Sequence, residues 1–188
     1  MAHFELQPEK EKLQNLAEEY WLKASEKERE LEKAVFEAGE AIRRGEYSLG
    51  HLETIVRWKS PRVVPHLCKN NMEDLEAALE VAASANTPTK DALEALIQLH
   101  GVAIPVSSAI LTAIFLERYT VLDFHALEAL GHPQQDMKFY EEYLAFCRRL
   151  ADSAEIRPQE GLPAPTTLRA LDRALWRWSK NGSERPAG

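Results

Sequence analysis

The chain has 188 residues, enough to bury one hydrophobic core. Its 45% hydrophobic and 28% charged residues are ordinary for a globular protein, and its formal net charge of −7 argues against non-specific coating of nucleic acid while leaving room for a local basic face. Two cysteines, Cys68 and Cys147, define neither a disulfide framework nor a zinc or iron–sulfur centre, so both are expected as buried thiols, and no metal or cofactor is expected. The opening MAHFELQPEKEK is too charged for a secretion signal. The longest uncharged apolar-rich run, 103–116, is too short to span a bilayer. The expectation is a cytoplasmic protein without membrane contact.

Helical spacing begins at Leu13, Leu16 and Tyr20. Ser25 and Glu28 fit a capping box that starts a second helix, whose stripe is Leu31, Val35, Ala38 and Ile42 and whose stop is Gly45. Residues 1–47 read as a helical hairpin packed on a core formed by 48–182. Ser48 caps a helix carrying Leu52, Ile55 and Val56, which Ser60-Pro61 ends because the residue before proline is pushed out of the α region. Pro61 opens a short helix to about Lys69. Asn71 caps another with Met72, Leu75, Leu79 and Ala82 on its apolar face. Thr87-Pro88-Thr89 breaks the chain before Leu93, Leu96 and Leu99. A long amphipathic helix is expected from Asp136 to Ala154, with Phe139, Tyr143, Phe146 and Leu150 on one side. A proline-rich loop, 157–165, leads to a last helix from Thr167 to Lys180, with Gly182 as its stop. No alternating strand and no repeat is visible, so the expected fold is all-α, a single domain of about nine helices.

Phosphate-loop, dinucleotide-binding and Gly-x-Ser-x-Gly patterns are absent. His125, Glu128 and His132 would share a helix side only if that helix continued past Gly131, which its Gly-His-Pro sequence opposes. More specific is LHGVAIPVSSAILTAIFLERYTVLDFHALEALG, residues 99–131. Gly101-Val102-Ala103 makes a tight turn between two helices, Pro105 opens the second where its missing N–H costs nothing, and Ser107 and Ala109 allow close helix approach. Asp123 then opens the next helix.

The order Gly101, Ala109, Leu111, Asp123, with His125 two residues on, resembles the helix-hairpin-helix DNA glycosylase superfamily, over about residues 93–131. The resemblance implies two helical subdomains, double-stranded DNA as partner, and a DNA phosphate held on the amides of Gly101, Val102 and Ala103. It implies that Asp123 faces a flipped nucleotide and assists loss of its base. The alternative for Asp123 is a helix cap, its carboxylate on the amides of the next turn. Two departures narrow the implied chemistry. Ala103 stands where the family has its second hairpin glycine, so a positive φ there would be strained. Pro105 stands where strand-cleaving members have lysine, so Schiff-base chemistry has no agent at that position and the implied glycosylase is monofunctional.

Two segments are candidates for the DNA backbone. Arg57, Lys59, Arg62 and Lys69 fall in a stretch without an acidic residue. On the last helix Leu168, Leu171, Leu175 and Trp178 mark one face, while Arg169, Arg173, Trp176, Arg177 and Lys180 share the other, a pattern that suits stacking and phosphate contact. An amphipathic helix that is simply basic near its C-terminus gives the same pattern. Three functions are therefore open: a monofunctional glycosylase with Asp123 catalytic, a non-catalytic DNA-binding module on the same scaffold, and a helical domain whose partner is another protein.

Overall fold

The structure, a computed structural model, describes residues 2–132 and 139–184, with the side chains of 183 and 184 left aside. Among the described residues the fold is all-α, with ten α-helices, two short 3-10 turns and no strand. The chain divides into two compact units: residues 1–25 with 122–188, and residues 26–121. The 1–47 segment read as one hairpin is thus divided between them. Helix α1 (Leu13–Lys23) belongs to the first unit and α2 (Glu26–Arg43) to the second.

The second unit continues with α3 (Leu49–Lys59), α4 (Val64–Leu67), α5 (Met72–Ala83), α6 (Thr89–Ile97) and α7 (Ile104–Ile114). Local signals set these boundaries. Gly45, at φ +94°, ends α2 with its N–H on Ile42 O and the Glu46 N–H on Ala41 O, the paired bonds of a Schellman stop. Ser48 accepts from the His51 N–H at 3.2 Å and Asn71 from the Asp74 N–H at 2.8 Å, which caps α3 and α5. Met72, expected on the apolar face, is instead 47% exposed, because it is the first residue of α5 and precedes the turn that faces inward.

Helix α7 is the centre of this unit, with α2, α3, α5 and α6 packed on it. All residues from Val106 to Ile114 are buried, as befits a helix apolar on every side. Its hydroxyls need partners there and find them on the helix itself: Ser107 donates to Ala103 O (3.1 Å), Ser108 to Pro105 O (2.8 Å) and Thr112 to Ser108 O (2.7 Å). Helices α2 and α7 approach closely at Gly39, where a Cβ would lie 2.0 Å from Ala113 O. Glycine is therefore required there by α7 rather than by backbone conformation.

In the first unit α8 (Phe124–Ala129), α9 (Tyr140–Ser153) and α1 all pack on α10 (Thr167–Glu184). The N-terminal segment runs alongside the end of α8, with Glu5 N–H on Leu130 O and Gln7 N–H on Ala129 O, both at 2.9 Å. Phe4 thereby joins His132, Phe139, Tyr143 and Phe146 in one aromatic group. The start expected for α9 at Asp136 lies outside the described residues. Gly182 does not stop the last helix, which runs on to Glu184. A glycine inside a helix costs only about 1 kcal/mol and is readily outweighed. Cys147 is buried as expected, but Cys68 is exposed at the end of α4, its thiol 3.9 Å from Glu53. Among the described residues no helix is long and apolar enough to cross a membrane, and no group of three His, Cys, Asp or Glu could hold a metal ion.

Candidate functional site

The turn between α6 and α7 is built as its sequence requires. The Val102 N–H closes on Leu99 O at 3.1 Å, and Gly101, third in that turn, has φ +84°, a left-handed conformation that glycine adopts without penalty. Packing imposes a second requirement, since a Cβ on Gly101 would lie 2.8 Å from His66 Cβ and 2.9 Å from Val63 Cγ1. Ala103 precedes α7 in extended conformation, φ −105° and ψ 175°. The strain expected from a missing second glycine is therefore absent: alanine suits this backbone. Ala103 makes no side-chain cap bond at the start of α7, and both Gly101 and Ala103 are exposed while Val102 is buried.

Asn70 holds this turn in place, a role sequence reasoning missed. Its amide nitrogen donates to Leu67 O (3.0 Å) and His100 O (3.3 Å), and its oxygen accepts the His100 N–H at 2.7 Å. One side chain thus pairs both backbone groups of His100. An Asn-Asn pair gives a weak signal for this, because Asn71 is already explained as a cap.

The acid-free stretch adjoins the turn. Val63 and His66, the residues that press on Gly101, lie between Arg62 and Lys69, and both of these are exposed. Arg57, exposed, and Lys59, half-buried, stand in the last turn of α3, where cations complement the helix dipole. Trp58 packs edge-on against Phe36, with ring centroids 6.1 Å apart.

Asp123 lies in the first unit. It is half-buried, extended at φ −144°, and its Oδ1 accepts the Ala126 N–H at 2.8 Å, so it caps α8. The turn and Asp123 therefore sit in different units.

The arginine face of α10 is not an open surface. Arg169, Arg173 and Arg177 are each 5% exposed or less. Arg169 pairs with Asp172, and its guanidinium lies 5.5 Å from the Tyr20 ring. Arg173 donates to Gln159 Oε1 (3.0 Å) and Pro163 O (2.7 Å) and lies 5.4 Å from the Trp21 ring. Arg177 meets Glu19 at 3.3 Å and Asn181 at 2.8 Å. The Glu19 carboxyl is held below the usual range, first by its bond to Lys23 and then by those to Asn181 and the charge of Arg177. Trp176 is half-buried, edge-on to Tyr20 at 5.2 Å, with Lys180 Nζ 5.3 Å from its ring centre. The expectation that Arg173 and Arg177 contact DNA is corrected accordingly. Charge alone suggests solvent, but α1 and the 155–165 loop supply partners that let these long stems pack inward.

His125 and Glu128 meet at Ser179, but with His132 they form no group that could hold a metal ion. His132 lies 4.5 Å from the Phe139 ring centre, whereas His125 Nδ1 is 2.7 Å from Ser179 Oγ on α10, and Ser179 also donates to Glu128.

No family model, curated protein or solved structure matches the chain.

Proposed function

We propose that this chain is a DNA-binding protein resembling a monofunctional helix-hairpin-helix DNA glycosylase, one that excises a flipped base without cleaving the strand. The observation that carries the reading is the α6–α7 turn. An exposed, left-handed Gly101 leads into a helix whose N-cap residue, Ala103, makes no side-chain cap bond, and the residues packed on Gly101 are flanked in the chain by exposed Arg62 and Lys69. Helix amides and nearby cations together suit a phosphate oxygen. Residues 93–131 carry the resemblance that gives Asp123 its role, in which a carboxylate stabilises positive charge developing on the sugar as the base departs. Pro105 leaves no amine for Schiff-base formation at the family's lyase position.

A second reading, a non-catalytic DNA-binding module, is favoured by the bond from the Ala126 N–H to Asp123, since that carboxylate already serves as a cap. Duplex DNA carrying assorted damaged bases tests both. Base loss seen as breaks only after alkali or heat supports the glycosylase, and salt-sensitive binding without base loss supports the module. Well-folded protein that binds no DNA at low salt would overturn both and leave a protein partner.

A further inference from the structure

Helix α8 has six residues, too few to persist through its own hydrogen bonds. Its packing on α10 and the hydrogen bonds of the N-terminal segment to Ala129 O and Leu130 O support it, and one polar contact with α10 is made at the Ser179 hydroxyl. His125 and Glu128 are three positions apart on α8 and so share a face. Both reach Ser179 of α10: His125 Nδ1 lies 2.7 Å from Ser179 Oγ, and that hydroxyl donates to Glu128 Oε2. Ser179 is 3% exposed, His125 is half-buried and Glu128 is exposed, so the contacts run from the buried hydroxyl out to the surface of α8. The imidazole is also steadied by rings, edge-on to Phe124 at 5.3 Å and inclined to Trp176 at 5.4 Å.

Counting protons fixes the direction of each bond. A serine hydroxyl has one proton to give, and a carboxylate only accepts. With the Ser179 proton directed at Glu128, the Oγ lone pair is left for His125, and Nδ1 must supply the proton. A neutral His125 ring then carries its hydrogen on Nδ1 and its lone pair on Nε2, the tautomer that is in the minority for histidine in water. The second nitrogen's character is set by the bond that the first one makes.

We propose that Glu128, Ser179 and His125 form a hydrogen-bonded relay that holds His125 as the Nδ1–H tautomer, with Nε2 as its acceptor, and that fastens α8 so that Asp123 is held in place at its start. His125 is in this sense a positioning residue for Asp123. The relay does not rest on the glycosylase reading, because it follows from contacts within the first unit alone. The Ala126 amide is a built-in reporter, since it donates to Asp123 Oδ1 at 2.8 Å and its protection records whether that carboxylate is in position.

The test uses the full chain. Long-range ¹H–¹⁵N correlation spectra near neutral pH read the tautomer of His125, and amide exchange reads Ala126, with Leu144 of α9 as a reference outside the relay. Wild type is expected to show Nδ1–H. Ser179→Ala should shift the ring toward Nε2–H and speed Ala126 exchange roughly 2- to 10-fold, the effect of losing about one net hydrogen bond, with Leu144 unchanged. Ser179→Thr, which keeps the hydroxyl, should restore both, and Glu128→Ala should mimic Ser179→Ala. An Nε2–H signal in wild type, or a tautomer indifferent to Ser179→Ala, would overturn the relay. Unchanged Ala126 exchange in Ser179→Ala would overturn the positioning role.

Discussion

The Cβ of His66 lies 2.8 Å from where a Cβ on Gly101 would stand, so α4 is seated directly against the α6–α7 turn. Gly101→Ala therefore meets two obstacles, a left-handed backbone at φ +84° and contact with His66 and Val63. The expected cost is about 1–3 kcal/mol of stability, measured by urea unfolding. If the chain binds DNA as proposed, its affinity at low salt should fall further than stability explains, because moving α4 would also displace Arg62 and Lys69.

Arg62 and Lys69 are exposed on either side of the residues packed on Gly101. If each neutralises one phosphate, replacing both with alanine should reduce the slope of log affinity against log salt by about 2. The loss should be similar for duplexes of any sequence. Binding titrations across a range of salt give the slope, and an unchanged slope would remove these side chains from the interface.

Arg173 should behave in the opposite way. Its guanidinium donates to Gln159 and Pro163 and faces the Trp21 ring. Arg173→Ala would leave those acceptors unsatisfied beside a cavity, at a cost of about 2–4 kcal/mol. The salt slope of DNA binding should not change in a variant that remains folded, which separates a buried arginine from a phosphate-binding one.

These contrasts show what the sequence can carry. Gly45, Ser48, Asn71, Gly101 and Asp123 were legible because each satisfies a backbone need within a few residues of itself. The apolar run of α7 was legible as a helix, but its place at the centre of the second unit was not read, because centrality is set by which helices pack on it. The arginines of α10 were misread because burial comes from α1, whose Tyr20, Trp21 and Glu19 are about 150 positions away, while the nearer partners Asp172, Asn181, Gln159 and Pro163 do not by themselves distinguish a solvated charge from a buried one. Asn70 and Ser179 were invisible for the same reason: each is defined by what it touches across the fold, not by its neighbours in the chain. Ala103 shows the reverse error, since a family pattern suggested a strain that this backbone does not have.

The two cysteines should differ in reactivity. Burial pushes the Cys147 thiol from an ordinary value of 9.0 up to about 12, and burial likewise raises the neighbouring Tyr143 phenol. A group that ionises later in the folded protein contributes its full stability below its unfolded value and loses it as pH rises through the folded one. Stability should therefore decline between about pH 9 and 12, and Cys147→Ala should flatten that decline when unfolding is followed at several alkaline pH values. A thiol reagent near neutral pH should modify exposed Cys68 in the native protein and Cys147 only after denaturation.

Asp123 brings the two functional readings to one substitution. Its Oδ1 accepts the Ala126 N–H, a task that asparagine performs about as well as aspartate. Asp123→Asn should thus keep α8 and the melting temperature nearly intact, whereas Asp123→Ala should cost about 1 kcal/mol through the lost cap. If the carboxylate also acts on the sugar, Asp123→Asn should slow base excision by roughly 10²–10⁴-fold while DNA affinity persists. Single-turnover excision assays beside binding titrations read both quantities. If the resemblance holds, Pro105 stands where the lyase lysine would be, and borohydride should trap no covalent protein–DNA adduct in either variant or in wild type; a trapped adduct would assign the chemistry to another amine, with Lys59 the first to be replaced. Excision that proceeds equally in Asp123→Asn and wild type would reduce Asp123 to a cap and leave the chain's reaction to a different group.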